Sequence, residues 1–221
     1  MGFTEVMPEK EPQQRGPSLR LMIKEIIETV IFILLAFFIV RGMVQNFKIE
    51  GHSMDPTLHH GQYILVNKLV YFHFDLNAPL RLLPGKQDLP KNIIYPFHMP
   101  RRGDIVVFHA PAEQRDYIKR VIGLPGEHVV IRDGNVFVDG ERLDEPYLLS
   151  PTTCEGLRPT CDIVVPEGSL YVLGDNRPNS SDSRSWETLP LENVVGQAWI
   201  SYWPQEHWGV IPTPSYAIGN R

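Results

Sequence analysis

Ser53 stands in "GHSMDPTL" (51–58), a hydroxyl that follows a freely turning glycine and precedes a proline, Pro56, that limits how the chain leaves. A serine attacks a carbonyl carbon only when a base takes its proton, so the sequence has to supply that base. His52, His59 and His60 are close by. A neighbour of the nucleophile on an extended chain points to the opposite face, however, and none of the three has an evident carboxylate to orient it. Adjacent histidines with no second ligand pair at regular spacing are also a poor metal centre.

Lys119, in "RDYIKRVIGLPGE" (115–127), is the stronger candidate. It sits on a predicted strand beside Tyr117, Ile118, Val121 and Ile122, where an ammonium loses hydration and its pKa falls. To act as a base near neutrality it must drop by ~2 units from ~10.4. A strand lysine that reaches out to water would have the same local sequence, and spacing alone does not choose between the two.

The elements that must position these residues divide at the N-terminus. Residues 26–44, "IIETVIFILLAFFIVRGMV", form an apolar run interrupted only by Glu28, Thr29, Arg41 and Gly42. As a helix such a run matches the hydrocarbon thickness of a bilayer. No small-x-small cleavage site follows it, so an uncleaved anchor is expected rather than a removable leader. Lys10, Arg15, Arg20 and Lys24 precede it, which places the N-terminus on the cytoplasmic side. The expected organisation is a largely unstructured cytoplasmic tail (1–24), a single-pass transmembrane anchor (25–45) and an extracytoplasmic domain (46–221).

Beyond the anchor the hydrophobic period changes. Residues 62–72, 103–110, 116–123, 127–140, 169–175 and 194–203 are short, rich in β-branched and aromatic residues, and punctuated by Gly, Pro and Asp. They predict a mainly β domain, closed or nearly closed, with a hairpin at Asp133-Gly134. Residues 75–100, with Pro79, Pro84, Pro90, Pro96 and Pro100, read as an inserted loop and not as a strand pair. Tyr71, Phe72, Phe74, Tyr95 and Phe97 suit either ordinary packing or a lipid interface.

With 221 residues, 43% of them hydrophobic, the chain can bury a core without metal staples. A net charge of -5 gives no basic footprint for a nucleic-acid partner. Cys154 and Cys161 flank a short loop that an oxidising compartment would bridge and a reducing one would leave as thiols.

Four segments, "SMDPTL" (53–58), "RRGDIVVF" (101–108), "YIKRVIGLPGE" (117–127) and "GDNRPNSSDSR" (174–184), in this order behind one anchor, resemble the sequence boxes of bacterial type I signal peptidases. The likeness covers about 140 residues from Gly51 onward, together with the anchor. It implies a membrane-bound serine protease with a largely β catalytic fold, which cuts signal peptides from exported preproteins with a Ser-Lys dyad and uses no metal or organic cofactor. On this resemblance Ser53 is the nucleophile and its N–H an oxyanion donor; Lys119 is the general base and Ser180 aims the lysine amine. Asp182 and Arg184 brace the site, and Ile49, Tyr117 and Ile118 line the substrate groove. Some members carry a serine where this chain has Gly51, which leaves the second oxyanion donor unassigned. The partners implied are signal peptides and the lipid bilayer, at the bacterial cell membrane. Two other readings are a self-cleaving repressor, which would need a DNA-binding module in place of the anchor, and an anchored β domain without catalysis that binds exported proteins.

Overall fold

The computed structural model describes residues 19–110, 115–154, 159–214 and 216. They divide into two compact units, one ending at Arg41 and one beginning at Gly42. Residues 1–18 of the expected tail lie outside the described residues. Residues 19–24, assigned to the tail from sequence, belong instead to helix α1 (Leu19–Met43). No glycine or proline interrupts Leu19–Arg41, and Lys24 pairs with Glu28 one turn on at 3.6 Å. None of the side chains of α1 is buried. Its charge-free stretch runs only from Thr29 to Val40, ~18 Å of helix against a hydrocarbon core of ~30 Å. No helix among the described residues is long and apolar enough to cross a membrane as it stands.

The second unit is mainly β, as the alternating pattern predicts. Its strands are β1 (Val44–Lys48), β2 (Tyr63–Asn67), β3 (Phe74–Asp75), β4 (Ile93–Ile94), β5 (Ile105–His109), β6 (Asp116–Gly123) and β7 (His128–Arg132). They continue with β8 (Asn135–Val138), β9 (Glu141–Arg142), β10 (Asp162–Val164), β11 (Ser169–Leu173), β12 (Leu189–Pro190), β13 (Val194–Trp203) and β14 (Gly209–Val210). The largest sheet has the order β1-β2-β13-β5-β6-β11-β12, with β14 on β13. Among the described residues β12 and β1 do not pair, so of the closed or nearly closed arrangements expected the fully closed one is not formed. A smaller sheet, β10-β7-β8-β9, packs Val129, Val136 and Val138 with Ile122, Tyr171 and Leu173 of β6 and β11. Its β7–β8 hairpin turns at Asp133 and Gly134, with φ of 50° and 76°, the two positive angles a tight hairpin turn needs.

The proline-rich stretch departs from expectation. Phe74 pairs with Ile94 and Asp75 with Ile93, so a two-residue ladder closes its base. Pro79, Pro84 and Pro90 lie between the paired residues, and Pro96 and Pro100 after them, so none removes a donor from the ladder. Asp75 reinforces it by accepting from the N–H of Asn77 and of Asn92, each at 2.9 Å. Of the five aromatics considered for a lipid surface, Phe72, Phe74 and Phe97 are exposed, Tyr95 is half-buried, and Tyr71 is buried with its hydroxyl donating to Asp104 at 2.5 Å. Tyr71 is therefore a core residue.

Two features of the large sheet position the site. Along β6, Tyr117, Ile118 and Lys119 lie opposite Phe108, Val107 and Val106 of β5. On its other side β6 meets β11 from Arg120 onward, through Arg120, Val121 and Gly123.

Candidate active site

Ser53 lies in the turn between β1 and β2. The base of that turn is closed by Ile49 N–H donating to Gln62 O at 2.8 Å and Gly61 N–H donating to Ile49 O at 2.9 Å. Gly51, at φ +93°, takes a conformation that favours glycine, and its N–H donates to His60 Nδ1 at 3.0 Å. From the other side Asn176 N–H donates to Ser53 O at 3.0 Å, and Asn176 Nδ2 to His52 O at 2.9 Å. His52 and His59 both turn to Asp55, their Nδ1 atoms 3.0 and 2.7 Å from its two carboxylate oxygens. All three histidines are thus engaged elsewhere.

Lys119 reaches the same point from β6. Its Nζ lies 2.8 Å from Ser53 Oγ and 2.8 Å from Ile118 O, and 5.3 Å from the centre of the Tyr117 ring. The residue is 4% exposed. Burial pulls its amine down to about 8, against the opposing pull of Asp182 and Asp175. Of the two sequence alternatives, the structure takes the desolvated lysine and not the one extended to water.

Around this pair the "GDNRPNSSDSR" segment forms a buried frame. Asp182 caps the short helix α2 (Ser183–Trp186) and accepts from Arg184 Nε and Nη2, each at 2.8 Å, and from Gly174 N–H at 3.1 Å. Arg184 Nη2 also donates to Arg177 O at 2.6 Å. Ser180 corrects an expectation: its hydroxyl is buried and makes no hydrogen bond, to Lys119 or to any other group, among the described residues. It packs where a side chain on Gly174 would otherwise stand.

The pair opens into a cleft of about 620 Å³. One wall runs from Phe47 to Ser53 and the other from Arg115 to Lys119, with Asn179 and Ser181 at the end. Tyr117 and Ile118 line it as expected. Ile49 does not: it is 2% exposed and faces the core with Met54 and Ile118. Alternation puts Ile49 on the inward side with Phe47, which packs against the same core while also reaching the cleft, and turns Lys48 and Glu50 outward to the cleft. Sequence reasoning also missed two buried ion pairs, Arg120–Asp175 and Arg177–Glu145, both of which flank the site. Their only trace is an arginine beside the lysine and a second one inside the "GDNR" box. Among the described residues no three His, Cys, Asp or Glu side chains are grouped to hold a metal.

The site thus brings a buried lysine against a serine hydroxyl in a cleft on a β sheet. The family described as Signal peptidase, peptidase S26, matches residues 22–203. The chain belongs to this family and is a serine endopeptidase. It is 39% identical to a signal peptidase I of Leptolyngbya laminosa over 158 residues, which is 63% of this chain and 76% of that one. A probable signal peptidase I-1 of Synechocystis is 35% identical over 188 residues, 81% of this chain and 80% of the relative. The crystal structure of a signal peptidase I from Enterococcus faecalis is 38% identical, covers 45% of this chain and 97% of its own, and superposes with a TM-score of 0.41.

Proposed function

We propose that this protein removes N-terminal signal peptides from exported preproteins by a Ser53–Lys119 dyad that passes through an acyl-enzyme. The observation that carries the proposal is the 2.8 Å approach of Ser53 Oγ to the Nζ of a buried lysine. In the neutral state the amine takes the hydroxyl proton as Oγ attacks the scissile carbonyl. It then returns the proton to the departing amine, and water repeats the sequence on the ester. The Ser53 N–H is the oxyanion donor. Gly51 N–H is committed to His60, so the second donor comes from elsewhere. Asp182 and Arg184 hold the frame.

Support for a peptide substrate comes from the cleft, one wall of which is formed by residues 115–119. An extended chain laid along that wall brings side chains to Tyr117 and Ile118. The exposed apolar side chains of α1 support a membrane anchor, and the basic residues before it support a cytoplasmic N-terminus with the catalytic unit outside; across so short a charge-free stretch the long side chains of Lys24 and Arg41 would have to extend towards the headgroups. The bond between Cys154 and Cys161 agrees with an oxidising compartment.

In detergent-solubilised full-length protein, Ser53→Ala or Lys119→Ala is expected to lower preprotein cleavage by ~10³-fold or more. Undiminished cleavage in either variant removes the dyad.

A further inference from the structure

Residues 211–214 and Tyr216 lie beyond the span 22–203 that the family matches, yet they pack against the residues that flank Ser53 and Lys119. Ile211 is buried in the core cluster that holds Met54, next to Ser53, and Ile118, next to Lys119. Its N–H donates to Trp199 O at 2.9 Å. Further on, the chain passes so close to Gly103 that a Cβ there would stand 2.7 Å from Tyr216 Cε2 and 2.9 Å from the Pro214 carbonyl oxygen. Gly103 O in turn accepts from Arg120 Nη1 at 2.9 Å. Tyr216 also reaches Arg120 by a second route. Its hydroxyl donates to that of Tyr147 at 3.0 Å, and Arg120 lies over the Tyr147 ring at 4.1 Å. The Tyr147 hydroxyl donates onward to Glu145 at 2.6 Å.

We infer that residues 211–214 and Tyr216 act as a strap and that Tyr216 is a positioning residue for Lys119, acting through Gly103, Tyr147 and Arg120 without touching substrate. Arg120, 1% exposed, immediately follows Lys119 and grips Asp175 through Nε at 2.8 Å and Nη2 at 2.6 Å. The charged groups that act on Lys119 are Asp175, paired with Arg120, and Asp182, paired with Arg184. Those that act on Tyr216 are Arg120, Glu145 and Asp175, beside the Tyr147 hydroxyl. A strap that keeps Arg120 seated keeps Asp175 compensated, and the lysine amine stays neutral at a lower pH. Loosening it leaves the Asp175 carboxylate freer to favour the ammonium, and the rate then falls at a higher pH.

The inference rests on the Ser53–Lys119 reading, and the test separates the two. Full-length wild type, Lys119→Ala, Tyr216→Ala and Tyr216→Phe are compared for kcat, KM, the pH of half-maximal kcat/KM and the melting temperature. Tyr216→Ala is expected to lower kcat ~10-fold with KM nearly unchanged and to move the acid limb upward by ~0.5 unit. Tyr216→Phe, which keeps the ring on Gly103, is expected to fall between it and wild type. An acid limb and kcat unmoved in Tyr216→Ala overturn the strap, as does a loss of rate that merely follows the unfolded fraction with the limb in place. Activity retained in Lys119→Ala, or a wild type with no acid limb, overturns the dyad and the strap with it.

Discussion

In the proposed dyad Lys119 accepts a proton only while neutral, and burial lowers its amine to about 8. Acid protonates it, so activity is lost as pH falls through that value, and each further unit removes about tenfold of the neutral amine. The logarithm of kcat/KM should therefore climb with unit slope from pH 5 to about 7 and level off above 8. A rate that stayed flat from pH 9 to 5 would show another group taking the proton. Gly174 makes a second prediction at this scale. A Cβ there would collide with Ser180 Oγ and stand 2.5 Å from Ser53 O, a backbone atom that cannot swing away. Gly174→Ala is expected to destabilise the fold by about 1–3 kcal/mol and to reduce cleavage by ~10²-fold through displacement of Ser53; a urea titration and a peptide assay check both. Ser53 and Lys119 were legible in the sequence as candidates because their neighbours are local, a glycine and a proline in one case and strand hydrophobics in the other. The orphaned hydroxyl of Ser180 and the crowding at Gly174 were not, since both depend on residues that meet only after the chain folds back.

Among the elements, the loop closed by Cys154 and Cys161 abuts the frame of the site. Thr153 O accepts from Arg184 Nη1 at 3.1 Å, and Thr160 Oγ1 donates to Arg184 O at 2.8 Å. Replacing both cysteines by serine frees a short loop in the unfolded chain and should cost about 2 kcal/mol. The urea midpoint of the double variant should equal that of reduced wild type; a midpoint equal to that of oxidised wild type would mean the bond contributes nothing. Strand identities were readable from alternation and turn chemistry, the Asp133-Gly134 hairpin most clearly. The β3–β4 ladder escaped because two residues are too few to show a period, and five prolines dominate the surrounding composition. Whether the sheet closes fully escaped for a different reason: alternation tells which face of a strand is buried but not whether the first and last strands meet.

For the whole molecule, the two units predict a separable behaviour. A chain beginning at Gly42 retains the cleft, Ser53 and Lys119 within one compact unit. It should cleave a soluble peptide with kcat/KM within about threefold of the full chain. It should cleave a membrane-inserted preprotein ~10²-fold more slowly, because both partners no longer share one surface and the effective concentration is lost. Equal rates on the inserted substrate would show that α1 has no part in delivering it. The apolar run of α1 was plain in the sequence, although its start was not. Leu19, Leu21, Met22 and Ile23 continue the helix into what the basic residues mark as tail; charge sets which side of a membrane a segment prefers, while helix propensity is indifferent to that boundary.

By itself the sequence determined the chemistry available and the elements that carry it: a hydroxyl on a turn, an amine on an apolar strand, a β domain behind a helix, and two cysteines within bonding reach. These follow from residue type and from periods a few residues long. Only the tertiary structure decided that the amine meets the hydroxyl and that Arg120 and Arg177 are buried with acidic partners. It alone placed Ile49 in the core instead of the cleft and brought the far end of the chain back to the site. Each of these is a contact between segments tens of residues apart, and its existence depends on sheet order and register, which no local pattern encodes.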